Sequence, residues 1–121
     1  MTRTSAWTVA ALLLIAAASL RAEDKDQVKQ LLATGKCQGC DLQRVQLVNV
    51  NLKGADLRDA DLSNSFLYRT NLQGAALKGT NFTGANLGGT DLRGALDANL
   101  LNAITNEYTT CPNGKPGPCG G

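Results

Sequence analysis

Histidine does not occur anywhere in the 121 residues. Its absence removes Ser-His-Asp and Cys-His catalytic pairs, and every imidazole-ligated metal centre, from consideration. Aromatic residues make up only 4% of the chain, so any cluster of them stands out. Proline is confined to the closing stretch, at Pro112, Pro116 and Pro118, and cysteine is missing from the whole of 41–110. No glycine-rich loop follows an apolar strand and opens a helix, which argues against a nucleotide site. The longest apolar run, Ala6 to Ala18 with Thr8 inside it, is shorter than the roughly 20 residues a membrane-spanning helix needs.

That run instead has the layout of a secretory leader. Arg3 precedes it, Ser19-Leu20-Arg21-Ala22 follows, and Ala22 is a small residue suited to the cut. Residues 1–22 are therefore expected to be a signal peptide, with the periplasm, the thylakoid lumen or the extracellular space as destination. Cleavage would change the charge. The chain carries 12 Lys+Arg against 10 Asp+Glu, and loss of Arg3 and Arg21 leaves 10 of each. A neutral mature protein has no global field to hold nucleic acid or anionic lipid. The expected partner is another protein, with no nucleic acid, no membrane contact after cleavage and no cofactor.

What the chain does have is a period of five. Leu or Phe recurs at Leu42, Leu47, Leu52, Leu57, Leu62, Leu67, Leu72, Leu77, Phe82, Leu87 and Leu92, eleven pentads without a gap. Two positions before each stands a small residue, from Cys40 and Val45 to Ala85 and Thr90. The position between is Asp or Asn in eight of the eleven, the exceptions being Gln46, Phe66 and Ala76. Neither regular element accommodates this spacing, because a helix repeats every 3.6 residues and a strand every two. A chain that turns a corner in each pentad does, with the large and the small residue pointing inward to fill a narrow core. Asp and Asn bond nearby backbone at turns, and Gly, which ends six pentads, relaxes the steric limits there.

The motif Ala-(Asp/Asn)-Leu-x-x, as in Ala55-Asp56-Leu57-Arg58-Asp59, Ala60-Asp61-Leu62-Ser63-Asn64 and Ala85-Asn86-Leu87-Gly88-Gly89, resembles the pentapeptide-repeat family. The resemblance implies an all-β fold, a right-handed quadrilateral β-helix with four pentads per coil and about three coils. The stretch Thr34 to Leu42 also resembles exported members of the family. The organisation expected is a signal peptide over 1–22, an N-terminal capping helix and CxxC lead-in over 23–39, the repeats over 40–94, a C-terminal cap over 95–109 and a disulfide-pinned tail over 110–121. Val28, Leu31 and Leu32 share a helical face, and Gly35 is a C-terminal stop. At the other end the pentad fails at Asp97. Leu96, Leu100, Ile104 and Tyr108 then fall four apart, which predicts a short helix over about 95–107; a distorted further coil is the competing reading.

The four cysteines, Cys37, Cys40, Cys111 and Cys119, are an even set in an exported small domain, which favours disulfides. Of the three connectivities the local pairs Cys37–Cys40 and Cys111–Cys119 are expected. A c-type haem site would need His where Asp41 stands, a thioredoxin-like motif would need a βαβ setting, and a zinc site would need cysteines from opposite ends of the rod to meet. Asp56 and Asp61 look like a carboxylate pair, but their shared repeat position already explains them as corner formers.

Twenty residues per coil would stack positions twenty apart. Gln46, Phe66 and Asn86 then form one column, Val48, Tyr68 and Gly88 the next, and Asn49, Arg69 and Gly89 a third. Val48, Phe66, Tyr68 and Arg69 emerge as a candidate patch for a partner. The row Lys53, Gln73 and Arg93 reads as a solvated face. Together these features predict a non-enzymatic scaffold or interaction module, either a monomer or a dimer formed through a cap. The alternative is a thiol-redox or enzyme-accessory protein using the Cys37–Cys40 pair.

Overall fold

A computed structural model of the chain describes residues 25–120, and the expected leader lies outside them. The chain opens with helix α1, residues 25–34, which ends where Gly35 adopts a positive φ and donates its N–H to Leu31 O. Leu31 is buried against the repeats while Leu32 is exposed. α1 therefore covers the bottom of the solenoid through Val28 and Leu31, whereas Leu32, expected on the same face, points to solvent.

Beyond α1 the chain returns to the same place every twenty residues. Parallel bridges stack Lys36, Asp56, Ala76 and Leu96 on a first side, and Asp41, Asp61 and Asn81 on a second. A third side stacks Gln46, Phe66 and Asn86, and a fourth stacks Asn51, Asn71 and Asp91. Four pentads thus complete one coil. Pairing takes the form of isolated bridges, because the chain bends at each fifth residue before a longer strand can form. The regular ladder begins at Lys36, one pentad earlier than the repeats at 40–94 suggest. There Cys37 stands in the leucine position and Cys40 in the small one.

Each pentad is held in three ways. Its leucine donates N–H to the coil above, as Leu47 does to Phe66 O and Leu67 to Asn86 O. The leucine carbonyl accepts the N–H three residues on, as in Ala55 to Leu52 at 3.0 Å, closing a β-turn. The Asp or Asn before the leucine accepts the backbone N–H two residues later, as Asn51 does from Lys53 and Asn81 from Thr83. The turn demands a positive φ at the fifth residue. Gly54, Gly74 and Gly84 supply it freely, whereas Arg44, Asn49, Asp59, Asn64 and Arg69 adopt it at φ 56–60°.

All eleven residues from Leu42 to Leu92 are buried, and Ala55, Ala60, Ser65, Thr70, Ala75, Thr80, Ala85 and Thr90 are buried beside them. The hydroxyls in this core are satisfied. Thr70, Thr80 and Thr90 donate to the carbonyls of Leu47, Leu57 and Leu67, each one coil below, and Ser65 donates to Leu62 O. A threonine can therefore replace alanine without leaving a buried donor unpaired.

The helix expected over about 95–107 is absent. The chain instead makes a fourth, irregular coil, with Leu96 bridged to Ala76, Ile104 to Asn86 and Thr110 to Asp91. The upper edge of the third coil explains the outcome. It presents a row of N–H and C=O groups that a helix, bonded within itself, would leave open. Leu77, Leu87 and Leu92 donate instead to Leu96, Ile104 and Thr110. Asp97 has φ 55°, and Asn99 and Asn106 accept from Leu101 and Tyr108 N–H like the Asx residues of the repeats. Register slips, so Ile104 lies eighteen residues beyond Asn86 and Thr110 nineteen beyond Asp91. A short tail follows, Thr110 pairing antiparallel with Pro116.

Candidate functional site

The third side carries the candidate patch. Its bridges Gln46–Phe66 and Phe66–Asn86, with Asn49 N–H donated to Tyr68 O and Arg69 N–H to Gly88 O, stack the three columns as predicted. Val48 is 45% exposed, Phe66 48% and Tyr68 36%. The Arg69 guanidinium carbon lies 5.2 Å from the centre of the Tyr68 ring, within cation–π range.

The third coil makes room for these side chains. A Cβ at Gly88 would come within 3.1 Å of Tyr68 Cδ2 and 2.9 Å of Asn106 Nδ2, and a Cβ at Gly89 within 3.1 Å of Arg69 Cγ. Tyr68 and Arg69 therefore lean over two residues that have no side chain. The positive φ of Arg69 is part of the same corner, where its backbone takes the turn that Gly89 takes one coil higher. Large residues on one coil are matched by the smallest on the next.

The fourth coil extends this side, a feature missed by reading Ile104 as helical. Ile104 continues the Gln46–Phe66–Asn86 column and is 56% exposed, and Tyr108 nearby is 71% exposed. A signal for the coil was present in Asn99, Asn106 and Asn113, spaced seven apart. Each accepts the backbone N–H two residues on, as the repeat Asx residues do.

The cysteines pair locally, Cys37 with Cys40 at a Cα separation of 5.3 Å and Cys111 with Cys119 at 5.5 Å. All four are buried. Cys37–Cys40 spans one of the repeat β-turns, closed by Cys40 N–H to Cys37 O, so both sulfurs point inward. Cys37 Sγ lies 3.4 Å from the Gln27 carbonyl oxygen of α1, a packing contact, since a disulfide sulfur carries no proton. At the other end Leu92 donates to Thr110 O, which puts Cys111 in the leucine position of the last side. Cys37 and Cys111 thus take the leucine place on the first and last sides, where a leucine would have a stacking neighbour on one side only, and their disulfide partners are buried beside them.

Asp56, Asp91 and Asp61 are occupied structurally. Asp56 forms an ion pair with Arg58 at 2.7 Å and accepts Arg58 N–H, and the hydrogen bond from the Arg58 side chain is the main cause holding its carboxyl down to about 2. Arg93 does the same to Asp91, lowering its pKa, with Gln73 adding a further hydrogen bond. Asp61 accepts Ser63 N–H at 3.0 Å. Asp56 and Asp61 belong to different sides of the coil and serve their own corners.

The pentapeptide repeats family model matches residues 36–74 and 67–96, with eight copies of the repeat. Among curated proteins none matches the chain. Several solved structures are similar, among them the following two. A pentapeptide repeat protein from the cyanobacterium Cyanothece 51142 is 32% identical with a TM-score of 0.59, over 63% of this chain and 53% of that one. A pentapeptide repeat protein from Nostoc Pcc 7120 is 30% identical with a TM-score of 0.54, over 78% of this chain and 85% of that one. The chain thus spans about half the length of the first and most of the second. Inward leucines at a five-residue spacing, Asx-closed corners and a twenty-residue return agree with those matches: the chain belongs to the pentapeptide repeat family.

Proposed function

We propose that this protein is an exported, non-enzymatic interaction module, a right-handed quadrilateral β-helix whose third side binds another protein. The observation that carries the reading is the exposed cluster of Val48, Phe66 and Tyr68 with Arg69 on one rigid side. Aromatic residues and arginine are the side chains most often found at the energetic centre of protein interfaces. The ladder fixes their spacing before any partner arrives, so little conformational entropy remains to be lost on binding. Export is supported by the two disulfides, which persist in oxidising compartments. A non-enzymatic role is supported by the occupation of Asp56, Asp61 and Asp91 in corners and ion pairs and of all four sulfurs in disulfides.

The test is capture of partners from the native compartment by the tagged protein. Phe66→Ser with Tyr68→Ser should abolish recovery of a partner that the wild type retains. Lys53→Ser with Gln43→Ser, on other sides, should leave it. Equal recovery by all three proteins would end the proposal for this side. The thiol-redox alternative is disfavoured by burial of the Cys37–Cys40 sulfurs beneath α1, because exchange requires a thiolate to reach a disulfide sulfur.

A further inference from the structure

On three sides the joint between the third and fourth coils pairs both groups that flank the bridge position. On the first side Leu96 donates to Ala75 O and accepts from Leu77 N–H. On the third, Ile104 donates to Ala85 O and accepts from Leu87 N–H. On the fourth, Thr110 donates to Thr90 O and accepts from Leu92 N–H. The equivalent pair on the second side is Thr80 C=O and Phe82 N–H. Among the described residues neither has a backbone partner in the fourth coil, and no side chain bonds either group. One position later the joint resumes, with Gly84 N–H donated to Asn102 O at 2.8 Å.

The gap follows from how the chain crosses it. Asp97 leaves the pentad path with φ 55°. Leu101, which would otherwise lie above Asn81, donates its N–H to Asn99 Oδ1 and turns its side chain to solvent. Between the coils this opens a cleft of about 310 Å³, lined by residues 79–83 with Asn99 and Asn102. No charged side chain lines it. Among the described residues the Asn102 side chain makes no hydrogen bond, and the Asn81 and Asn99 carboxamides use only their oxygens.

We propose that this cleft binds one extended amino-acid residue of a peptide, completing the ladder on the second side. The geometry selects that chemistry. A residue paired in a parallel ladder presents its own N–H and C=O to the same side, one to each group of a flanking pair. Thr80 C=O and Phe82 N–H are such a pair, separated by Asn81. A simple secondary amide does not fit, because its planar trans group directs N–H and C=O in opposite directions. Addition of a strand residue to an open sheet edge is an established mode of peptide recognition. The open stretch is short, because the ladder is closed at Leu96 on one flank and at Asn102 on the other; among the described residues Gly79 N–H, which also lines the cleft, has no backbone partner in the fourth coil either. The residue's side chain would point outward, as Asn81's does, so recognition is through backbone. The site is on a different side of the coil from the aromatic patch, and either can fail without the other.

The experiment is amide hydrogen exchange of the intact oxidised protein, with N-acetyl-alanine methylamide as the residue probe and N-methylacetamide as the control. Without probe, Phe82 N–H exchanges faster than Leu77 and Leu87 N–H, which are bonded to the fourth coil. A probe bound with a Kd near 1 mM and present at about ten times that concentration slows Phe82 exchange about tenfold. Leu77 and Leu87 should not respond, and N-methylacetamide should change none of the three. The proposal is overturned if Phe82 N–H is already as protected as Leu77 without probe. It is equally overturned if the residue probe leaves Phe82 unchanged at its solubility limit, or if the control slows it as much.

Discussion

Replacing Leu67 by alanine removes the centre of the core. Leu67 is fully buried on the third side of the second coil, between Leu47 below and Leu87 above. Its backbone cannot shift to fill the space left behind. Its N–H is donated to Asn86 O at 2.9 Å, and its carbonyl accepts both Thr70 N–H and the Thr90 hydroxyl. The coils above and below are held at ladder spacing on all four sides, so the cavity stays largely open. Leucine-to-alanine changes cost about 2–5 kcal/mol, the upper part of that range applying where the surroundings do not collapse. Leu67→Ala is therefore expected to destabilise by about 3–5 kcal/mol in urea unfolding of the oxidised protein. The denaturant slope should be unchanged, since the surface exposed on unfolding is nearly the same. Leu32→Ala, on the exposed face of α1, is the control and should cost no more than about 0.5 kcal/mol. A cost for Leu67→Ala below about 1 kcal/mol would refute the reasoning, because it would mean that the coils close around the missing methyls.

Other outcomes follow from the same geometry. Thr90→Val keeps the shape but loses the donor to Leu67 O, and should cost about 1 kcal/mol by urea unfolding; no loss would show that this buried hydroxyl bond adds nothing net. Cys111→Ser with Cys119→Ser opens a short ring and should lower stability by about 2–3 kcal/mol on the loop-entropy scale, measured against the oxidised wild type. The Asp56 carboxyl, depressed in the folded state to about 2, stabilises the fold above its unfolded value of about 3.9. That contribution is lost as pH falls towards 2. The pair is exposed, so the effect on stability is small and salt-screened. The titration itself is the readout, and Arg58→Ala should return the Asp56 midpoint by carbon-detected NMR to the ordinary carboxylate range.

The leucine period was enough to read the architecture, because each leucine answers one question, which way its side chain points, and answers it eleven times. The columns through Phe66 and Tyr68 followed from counting by twenty. Three features were not legible in the same way. The first pentad escaped because Cys37 stands in the leucine place; the bridge from Lys36 to Asp56 and the bond from Cys37 N–H to Asp56 O show that it is a repeat. The fourth coil stood only as the competing reading because Leu96, Leu100, Ile104 and Tyr108 mimic a helical stripe. Their spacing records nothing about the open ladder edge beneath them, and that edge decides the matter. The interrupted joint at Thr80 and Phe82 escaped because it depends on where Leu101 goes rather than on any residue lining the gap. As for the patch, Gly89 reads as a turn former and Gly88 as a column member, and their role of making room for Tyr68 and Arg69 appears only when coils are stacked.

The central claim is that residues in successive coils are hydrogen-bonded across the twenty-residue return. Scalar couplings through hydrogen bonds, measured between backbone nitrogen and carbonyl carbon, test it most directly. The account predicts couplings from Leu47 N to Phe66 C′ and from Leu67 N to Asn86 C′, shortening in sequence to Leu87 N with Ile104 C′ at the irregular coil. Couplings confined to residues four apart, or none joining these pairs, would contradict it.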